Sequence, residues 1–196
     1  MKRKLLIASV LVIVIASLSL GTLAYFNSST IAHNVITSGN IDIELVEKTK
    51  DGDALIDFPE GGIKGVLPGT DVSKIVTVKN RGSGTAWIRV KVTSQITGKE
   101  ALPDAIEIGG EKIPVMTFAI GNDWIDGGDG YYYYKNPVAT GGTTTALLEQ
   151  VHFAKEMGNE YQNCTANLIV EAQAVQTANN GETVLAAAGW PAEDHE

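Results

Sequence analysis

Three aspartates and three glycines lie close together in residues 122–130, and such a group could bind a metal ion. Calcium takes about six to eight oxygen ligands, and Asp123, Asp126 and Asp129 could supply three or four of them. Aspartate and glycine are also the residues that tight turns need, for local hydrogen bonds and positive φ. The spacing is not that of an EF-hand. We therefore interpret the segment as a turn, with calcium binding as the alternative.

Glu149 and His152 have the spacing of half a zinc-protease helix. Such a helix carries two histidines on one face, and the second histidine is missing here. The other histidines, His33 and His195, are far away in sequence. A surface histidine beside a glutamate is the better interpretation. Because the chain also lacks a Gly-x-Ser-x-Gly turn and a phosphate-binding glycine loop, we predict no catalytic residue and no cofactor.

Cys164 and the four consecutive tyrosines 131–134 are the remaining residues with chemical potential. A single cysteine cannot form an internal disulfide, and a buried apolar role is the usual one for a free thiol. In a strand, alternate tyrosines face opposite sides, so only two could form a sugar-stacking platform. We expect two tyrosines in the core and two outside, covering a sheet edge or a subunit contact.

The N-terminus has the layout of a secretory signal peptide. Lys2, Arg3 and Lys4 precede an apolar or small-residue run over residues 5–20. That run is shorter than the roughly 20 apolar residues that cross a bilayer. We predict a signal peptide over residues 1–24, cleaved between Ala24 and Tyr25, with a retained membrane anchor as the alternative. The expected location is therefore outside the cell membrane, secreted or at the cell surface.

Composition limits the partners of the mature chain. Removing the basic head changes the formal net charge from −8 to −11. An acidic surface argues against binding to nucleic acid and to anionic lipid. The remaining residues suffice for one domain with a hydrophobic core, and that core must be stable without a disulfide.

Alternating apolar residues predict a chain made mainly of strands. Residues 72–80 and 85–96 alternate around a short glycine-containing loop and predict a β-hairpin. Further strands are predicted at residues 41–45, 113–120, 131–134 and 167–177, a loop at 48–65, and a short helix at 182–190. Residues 147–157 suit either a helix or a strand. Many short strands with glycine-rich turns favour an all-β sandwich over residues 41–196, preceded by an extended segment, residues 25–40.

Several motifs, in this order, resemble the TasA/camelysin family of exported biofilm-matrix proteins. Ala-Tyr-Phe at residues 24–26 spans the end of the signal sequence, and the signals of this family resemble those cut by a dedicated SipW-type signal peptidase. Ile-Thr-Ser-Gly-Asn-Ile-Asp-Ile follows at 36–43. Further matches are Leu-Pro-Gly at 67–69, Val-Thr-Val-Lys-Asn at 76–80, Asp-Gly-Tyr-Tyr-Tyr-Tyr-Lys at 129–135 and Val-Glu-Ala-Gln-Ala-Val-Gln at 170–176.

The resemblance implies a jelly-roll-like β-sandwich and a structural role in extracellular fibres, joined by donor-strand complementation. The candidate donor strand lies in residues 26–37, with Phe26, Ile31, Val35 and Ile36 as its apolar residues. The expected partners are other copies of the chain, a signal peptidase, and minor matrix or anchoring proteins. The alternatives are a secreted metallopeptidase of camelysin type and a surface-displayed polysaccharide-binding module that uses Tyr132 and Tyr134.

Overall fold

The computed structural model describes residues 26–29, 32–37, 41–60, 62–98 and 102–191. Within these ranges regular structure is almost entirely β-strand, with two short 3₁₀ helices at Asn159–Tyr161 and Val184–Ala186. No helix among the described residues has the length and apolar character needed to cross a membrane. The predicted signal peptide, the Ala24–Tyr25 cleavage site and Ile31 lie outside the described residues.

The described residues form fourteen strands, numbered in chain order. They are β1 (Phe26–Ser29), β2 (Ala32–Thr37), β3 (Ile43–Asp51), β4 (Ala54–Asp57), β5 (Ile63–Val66), β6 (Asp71–Asn80), β7 (Ala86–Thr97), β8 (Ala105–Ile108), β9 (Glu111–Pro114), β10 (Met116–Phe118), β11 (Trp124–Asp126), β12 (Tyr131–Tyr134), β13 (Leu148–Phe153) and β14 (Thr165–Gln176).

Two main sheets enclose one hydrophobic core, so the predicted all-β sandwich is confirmed. Among the described strands, sheet A has the order β11-β12-β7-β14-β1-β5, with β2 also paired to β14. Sheet B has the order β10-β13-β6-β3-β4, and β8 and β9 form a separate hairpin. Most pairings are antiparallel, but β1 and β2 both run parallel to β14.

Strict alternation along the central strands builds the core. In β6, Val76 and Val78 face inward and are completely buried, as are Ala166 and Val170 in β14. Successive side chains of a strand point to opposite faces, so a period-2 apolar pattern gives each strand one buried face. The alternation that predicted these strands therefore identified their inner faces correctly.

The predicted β-hairpin between residues 72–80 and 85–96 is wrong, although both strands exist. β6 pairs with β3 and β13 in sheet B, whereas β7 pairs with β12 and β14 in sheet A. The Asn80 amide Nδ2 donates 2.8 Å hydrogen bonds to the carbonyls of Gly84 and Val138, which holds the connection as a corner between the sheets. Alternation specifies which face is buried, and it does not specify the neighbouring strand.

The predicted loop over residues 48–65 is also wrong, because β3 continues to Asp51 and is followed by β4 and β5. Gly52, with a φ of +60°, and Asp53 form the turn between β3 and β4. Residues 147–157, whose sequence suits either a helix or a strand, contain β13. Only Val184–Ala186 of the predicted helix at 182–190 is helical, and the strand predicted at 113–120 is divided between β9 and β10.

A lysine side chain lies on the inner face of sheet B. Lys74 alternates in phase with Val76 and is 1% exposed. Its Nζ lies 2.9 Å from Oε1 of Glu47 and 4.0 Å from the centroid of the Phe58 ring. Burial lowers the pKa of Lys74 below its ordinary value of 10.5, while the charge of Glu47 opposes that shift. The two residues therefore form a desolvated ion pair in which each charge depends on the other.

Candidate functional site

The main candidate site is a slot in sheet A that the N-terminal residues occupy. β14 pairs with β7 along its whole length, from Thr165 to Gln176. On the other side of β14, the partner strands are β1 and β2. β1 is enclosed on both sides, because its second edge pairs with β5. We call the space between β14 and β5, filled here by β1, the strand slot.

The register defines how the slot holds its strand. β1 runs parallel to β14, with Asn27 opposite Thr165, and antiparallel to β5, with Asn27 opposite Lys64. A strand in the slot therefore exchanges backbone hydrogen bonds with both walls. Without that strand, the backbone N–H and C=O groups along the edge of β14 would lose their partners. An unpaired edge of β14 is therefore costly. β14 is also a core strand, since side chains such as that of Val170 are completely buried.

Three of the four apolar donor residues predicted from the sequence lie in the strands beside β14. Phe26 is in β1, opposite Val66, and Ile36 is in β2, opposite Gln173. Val35 lies with Asn34 where the register shifts between Glu171 and Gln173. A bulge inserts one residue and interrupts strict alternation, which agrees with the irregular apolar pattern of this segment. The fourth residue, Ile31, is outside the described residues.

Sequence reasoning missed β5, the outer wall of the slot. Its sequence, Ile-Lys-Gly-Val, is too short for a convincing period-2 pattern and lies among acidic residues, glycines and prolines. Ile63 and Val66 nevertheless contact the core, and Val66 is 4% exposed. The only sequence signal for β5 was the pair of apolar residues Ile63 and Val66, which are separated by a lysine and a glycine.

The acidic segment 122–130 forms turns on both sides of a short strand, β11, which the sequence did not predict. One oxygen of Asp126 accepts a 2.9 Å hydrogen bond from the N–H of Gly128, and Asp123 accepts one of 2.9 Å from the Thr145 hydroxyl. A Cβ at Gly127 would lie 2.4 Å from the Tyr133 ring, so glycine is required there for space. The described residues contain no group of three or more His, Cys, Asp or Glu side chains that could hold a metal ion.

Asp129 connects this turn to the tyrosine strand. Its carboxylate accepts hydrogen bonds from the Tyr133 hydroxyl at 2.6 Å and from the Tyr131 N–H at 3.1 Å, and lies 3.9 Å from an Arg89 nitrogen. Burial raises the pKa of Asp129, but these hydrogen bonds and the Arg89 charge outweigh it and hold the pKa below 3.8. Burial and the bond to Asp129 raise the pKa of Tyr133.

Glu149 and His152 lie on β13, so the helix that a zinc-protease pair requires is not formed at these residues. His152 Nδ1 lies 2.8 Å from a carboxylate oxygen of Asp71 on the neighbouring strand, and both side chains are about half exposed. Cys164 is buried, and burial raises the pKa of its thiol. A buried thiol with a raised pKa is a poor nucleophile, in agreement with a packing role.

An aromatic cluster covers the outer face of sheet A. Arg89 is the centre of this Arg89 cluster: its guanidinium carbon lies 3.9 Å from the Tyr131 ring centroid and 4.7 Å from that of Trp190. The guanidinium donates to Gln173 Oε1 at 2.9 and 2.7 Å and to the Tyr133 hydroxyl at 3.1 Å. The C-terminal segment that carries Trp190 therefore packs on the sheet through an arginine whose donors are engaged.

The tyrosine prediction is correct for the inner pair and wrong for the outer pair. Tyr132 and Tyr134 contact the main core, as expected. Tyr131 and Tyr133, at 3% and 6% exposed, do not cover an edge, because they lie beneath the C-terminal segment with Trp87. A sugar platform of Tyr132 and Tyr134 would therefore have to form from residues that pack inward.

Replacing Arg89 by alanine is expected to lower the free energy of unfolding by about 3 kcal/mol, since it removes the cation–π stack and leaves buried acceptors unpaired. Urea denaturation followed by tryptophan fluorescence measures this change. Arg81 is the matched control, because its ion pair with Glu44 at 3.2 Å is exposed. Arg81→Ala should cost less than about 1 kcal/mol. Equal losses in the two variants would contradict a structural role for the Arg89 cluster.

Comparison of the chain with protein-family models, with curated proteins and with solved structures gave no match.

Proposed function

We propose that this protein is an exported, non-catalytic structural subunit that assembles into extracellular fibres by donor-strand exchange, as the resemblance to the TasA/camelysin family implies. The strand slot is the observation that carries the proposal. The N-terminal strand is held between β14 and β5 by backbone pairing on both edges. The same strand of a second copy can make the same hydrogen bonds, because the copies are identical.

Connectivity supports exchange between copies. β1 and β2 precede the rest of the sandwich in the chain, and all other described strands follow Thr37. Removing them from the slot therefore requires no change in the order of the other strands. A contact between the slot of one copy and the N-terminal strand of the next joins two different surfaces. Such a head-to-tail contact produces an open filament when the rotation between successive copies does not close a ring.

The sequence features at the N-terminus fit this assembly. Cleavage by a signal peptidase between Ala24 and Tyr25 would release the chain and leave the donor strand at a free end. The net charge of −11 after cleavage would keep monomers apart until strand exchange joins them. Minor matrix or anchoring proteins with a similar N-terminal strand would use the same slot. The proposed location is the extracellular matrix or the cell surface.

Disulfide trapping between two single-cysteine variants tests the exchange directly. Asn27 and Lys64 lie opposite each other in the antiparallel pair of β1 and β5. Residues directly opposite across such a pair are within disulfide reach. A mixture of Asn27→Cys and Lys64→Cys chains, both with Cys164→Ala, is allowed to form fibres and is then oxidised. We expect mixed dimers on a non-reducing gel, with yields well above those of either variant alone.

The control mixture pairs Asn27→Cys with Asp57→Cys, because Asp57 lies on β4 of the other sheet. It should give only background cross-linking. A chain that carries both Asn27→Cys and Lys64→Cys reports pairing within one copy. If fibres form while cross-links appear only within single chains, the N-terminal strand remains in its own slot and the proposal fails.

A further inference from the structure

β5 depends on the strand in the slot for its place in sheet A. Among the described strands its sheet partner is β1, and β5 is the outermost strand of the sheet on that side. Its ladder pairs in the described part of the chain, which include Ser28 with Ile63 and Asn27 with Lys64, are made to the N-terminal strand. If β1 leaves the slot, β5 has no neighbouring strand among the residues described.

The chain on both sides of β5 is fixed independently of β1. Before β5, the Phe58 N–H donates a 3.0 Å hydrogen bond to the Glu47 carbonyl. After β5, the Gly69 N–H donates one of 2.9 Å to the carbonyl of Phe153. Glu47 lies on β3 and Phe153 on β13, so both hydrogen bonds hold the segment to sheet B. The segment between them can therefore detach from sheet A as a loop with fixed ends.

We infer that β5 is a clasp, which lies on sheet A only while a strand occupies the slot and closes when a donor strand enters. The inference rests on the proposed function for the source of that strand, the N-terminus of a second copy. It concerns an additional property of the site, namely that occupancy of the slot orders a second segment. The clasp then holds the donor on the side opposite β14.

The balance of interactions favours a conditional clasp. Ordering the segment between Phe58 and Gly69 costs conformational entropy at every residue. The apolar contribution that opposes this cost comes mainly from Val66, which is buried, and from Ile63, which is partly buried. The backbone ladder to β1 supplies the rest. Without the ladder, two apolar side chains must compensate for the whole loop, so we expect it to open.

The two walls also select the direction of the entering strand. It must run parallel to β14 and antiparallel to β5 at the same time. Parallel and antiparallel ladders space their hydrogen bonds differently, so a reversed strand would not reproduce both patterns. An N-terminal strand of a second copy meets this requirement because it is the strand already seen in the slot.

Trypsin provides a site within the clasp. Lys64 is the only lysine or arginine between Lys50 and Lys74, so cleavage after it reports on β5. The test compares two full-length variants with the natural chain. Ser28→Pro removes a backbone donor from β1, which pairs with β5, whereas Val35→Pro is placed in β2, which among the described strands pairs with β14 and not with β5. Cleavage after Lys64 is followed by mass spectrometry of the fragment that begins at Gly65.

We expect cleavage after Lys64 to be roughly tenfold faster or more in Ser28→Pro than in the natural chain, and little changed in Val35→Pro. Unchanged cleavage in Ser28→Pro, or equal acceleration in both variants, would overturn the clasp. Hydrogen exchange on the natural chain is a second measurement that needs no variant. Amides of β5 should exchange no more slowly than those of β1, and stronger protection in β5 would also overturn it.

These outcomes are separate from those of the disulfide trapping. If cross-links form only within single chains but Ser28→Pro exposes Lys64, the clasp is correct and exchange between copies is wrong. If mixed dimers form but Lys64 remains protected in Ser28→Pro, exchange is correct and the clasp is wrong.

Discussion

A chain that begins at residue 38 is expected to remain monomeric under conditions in which the chain from residue 25 forms fibres. The truncation removes β1 and β2, and with them the strands that pair with the edge of β14 between Thr165 and Ala174. Such a chain has a slot but no donor, so it cannot pass a strand to a neighbour. Negative-stain electron microscopy and sedimentation measure the difference, which should be all or none.

The truncated chain also makes a positive test possible. Its empty slot should bind a synthetic peptide of residues 26–37, and the chain should cap fibres of the longer form by accepting their terminal strand. A peptide with Ser28→Pro is the matched control and should bind more weakly, because proline removes a hydrogen-bond donor inside the slot. Fibres formed by the truncated chain alone would show that residues 26–37 are not the donor.

Glu47→Gln is expected to destabilise the sandwich by about 3–5 kcal/mol, the usual cost of removing one partner from a buried ion pair. Lys74 is 1% exposed and would retain a buried charge without its carboxylate. Urea denaturation at neutral pH measures the loss. The double variant Glu47→Leu with Lys74→Met removes both charges and should recover most of the stability. If the double variant is no more stable than the single one, the charge pair is not the cause.

The free energy of unfolding of Glu47→Gln should depend on pH, and the direction of that dependence follows from the pKa of Lys74. Burial already lowers the pKa of Lys74, and Glu47 partly opposes this, so its loss should lower the pKa further. Between the folded-state pKa and the ordinary value of 10.5, the unfolded chain binds the proton that the folded chain has released. The free energy of unfolding of the variant should therefore rise with pH in that window. A fall with pH would contradict the assignment.

Local sequence patterns were sufficient to predict the strands that have one buried face. The alternation of β6, β7 and β14 predicted their inner residues, and the turn predicted from the glycines and aspartates of residues 122–130 is correct on both sides of β11. Each of these features depends on the backbone geometry of a few consecutive residues. They can therefore be recognised without knowledge of any distant part of the chain.

Pairing between strands could not be predicted in the same way. β6 and β7 are adjacent in sequence and lie in different sheets, because the ladder of twelve residue pairs between β7 and β14 joins segments far apart in the chain. The outer tyrosines, Tyr131 and Tyr133, were expected at an edge or a contact. They are buried because Trp190, more than fifty residues later, packs against Tyr133 with ring centroids 5.7 Å apart.

The sequence by itself determined the all-β class, the inner faces of the central strands, and the predictions of an export signal and a donor segment. Only the tertiary structure decided that β1 lies between two walls, parallel to β14 and antiparallel to β5. The reason is physical. A side-chain pattern records which face of a strand avoids water, whereas the backbone groups that choose its neighbours are the same in every residue except proline.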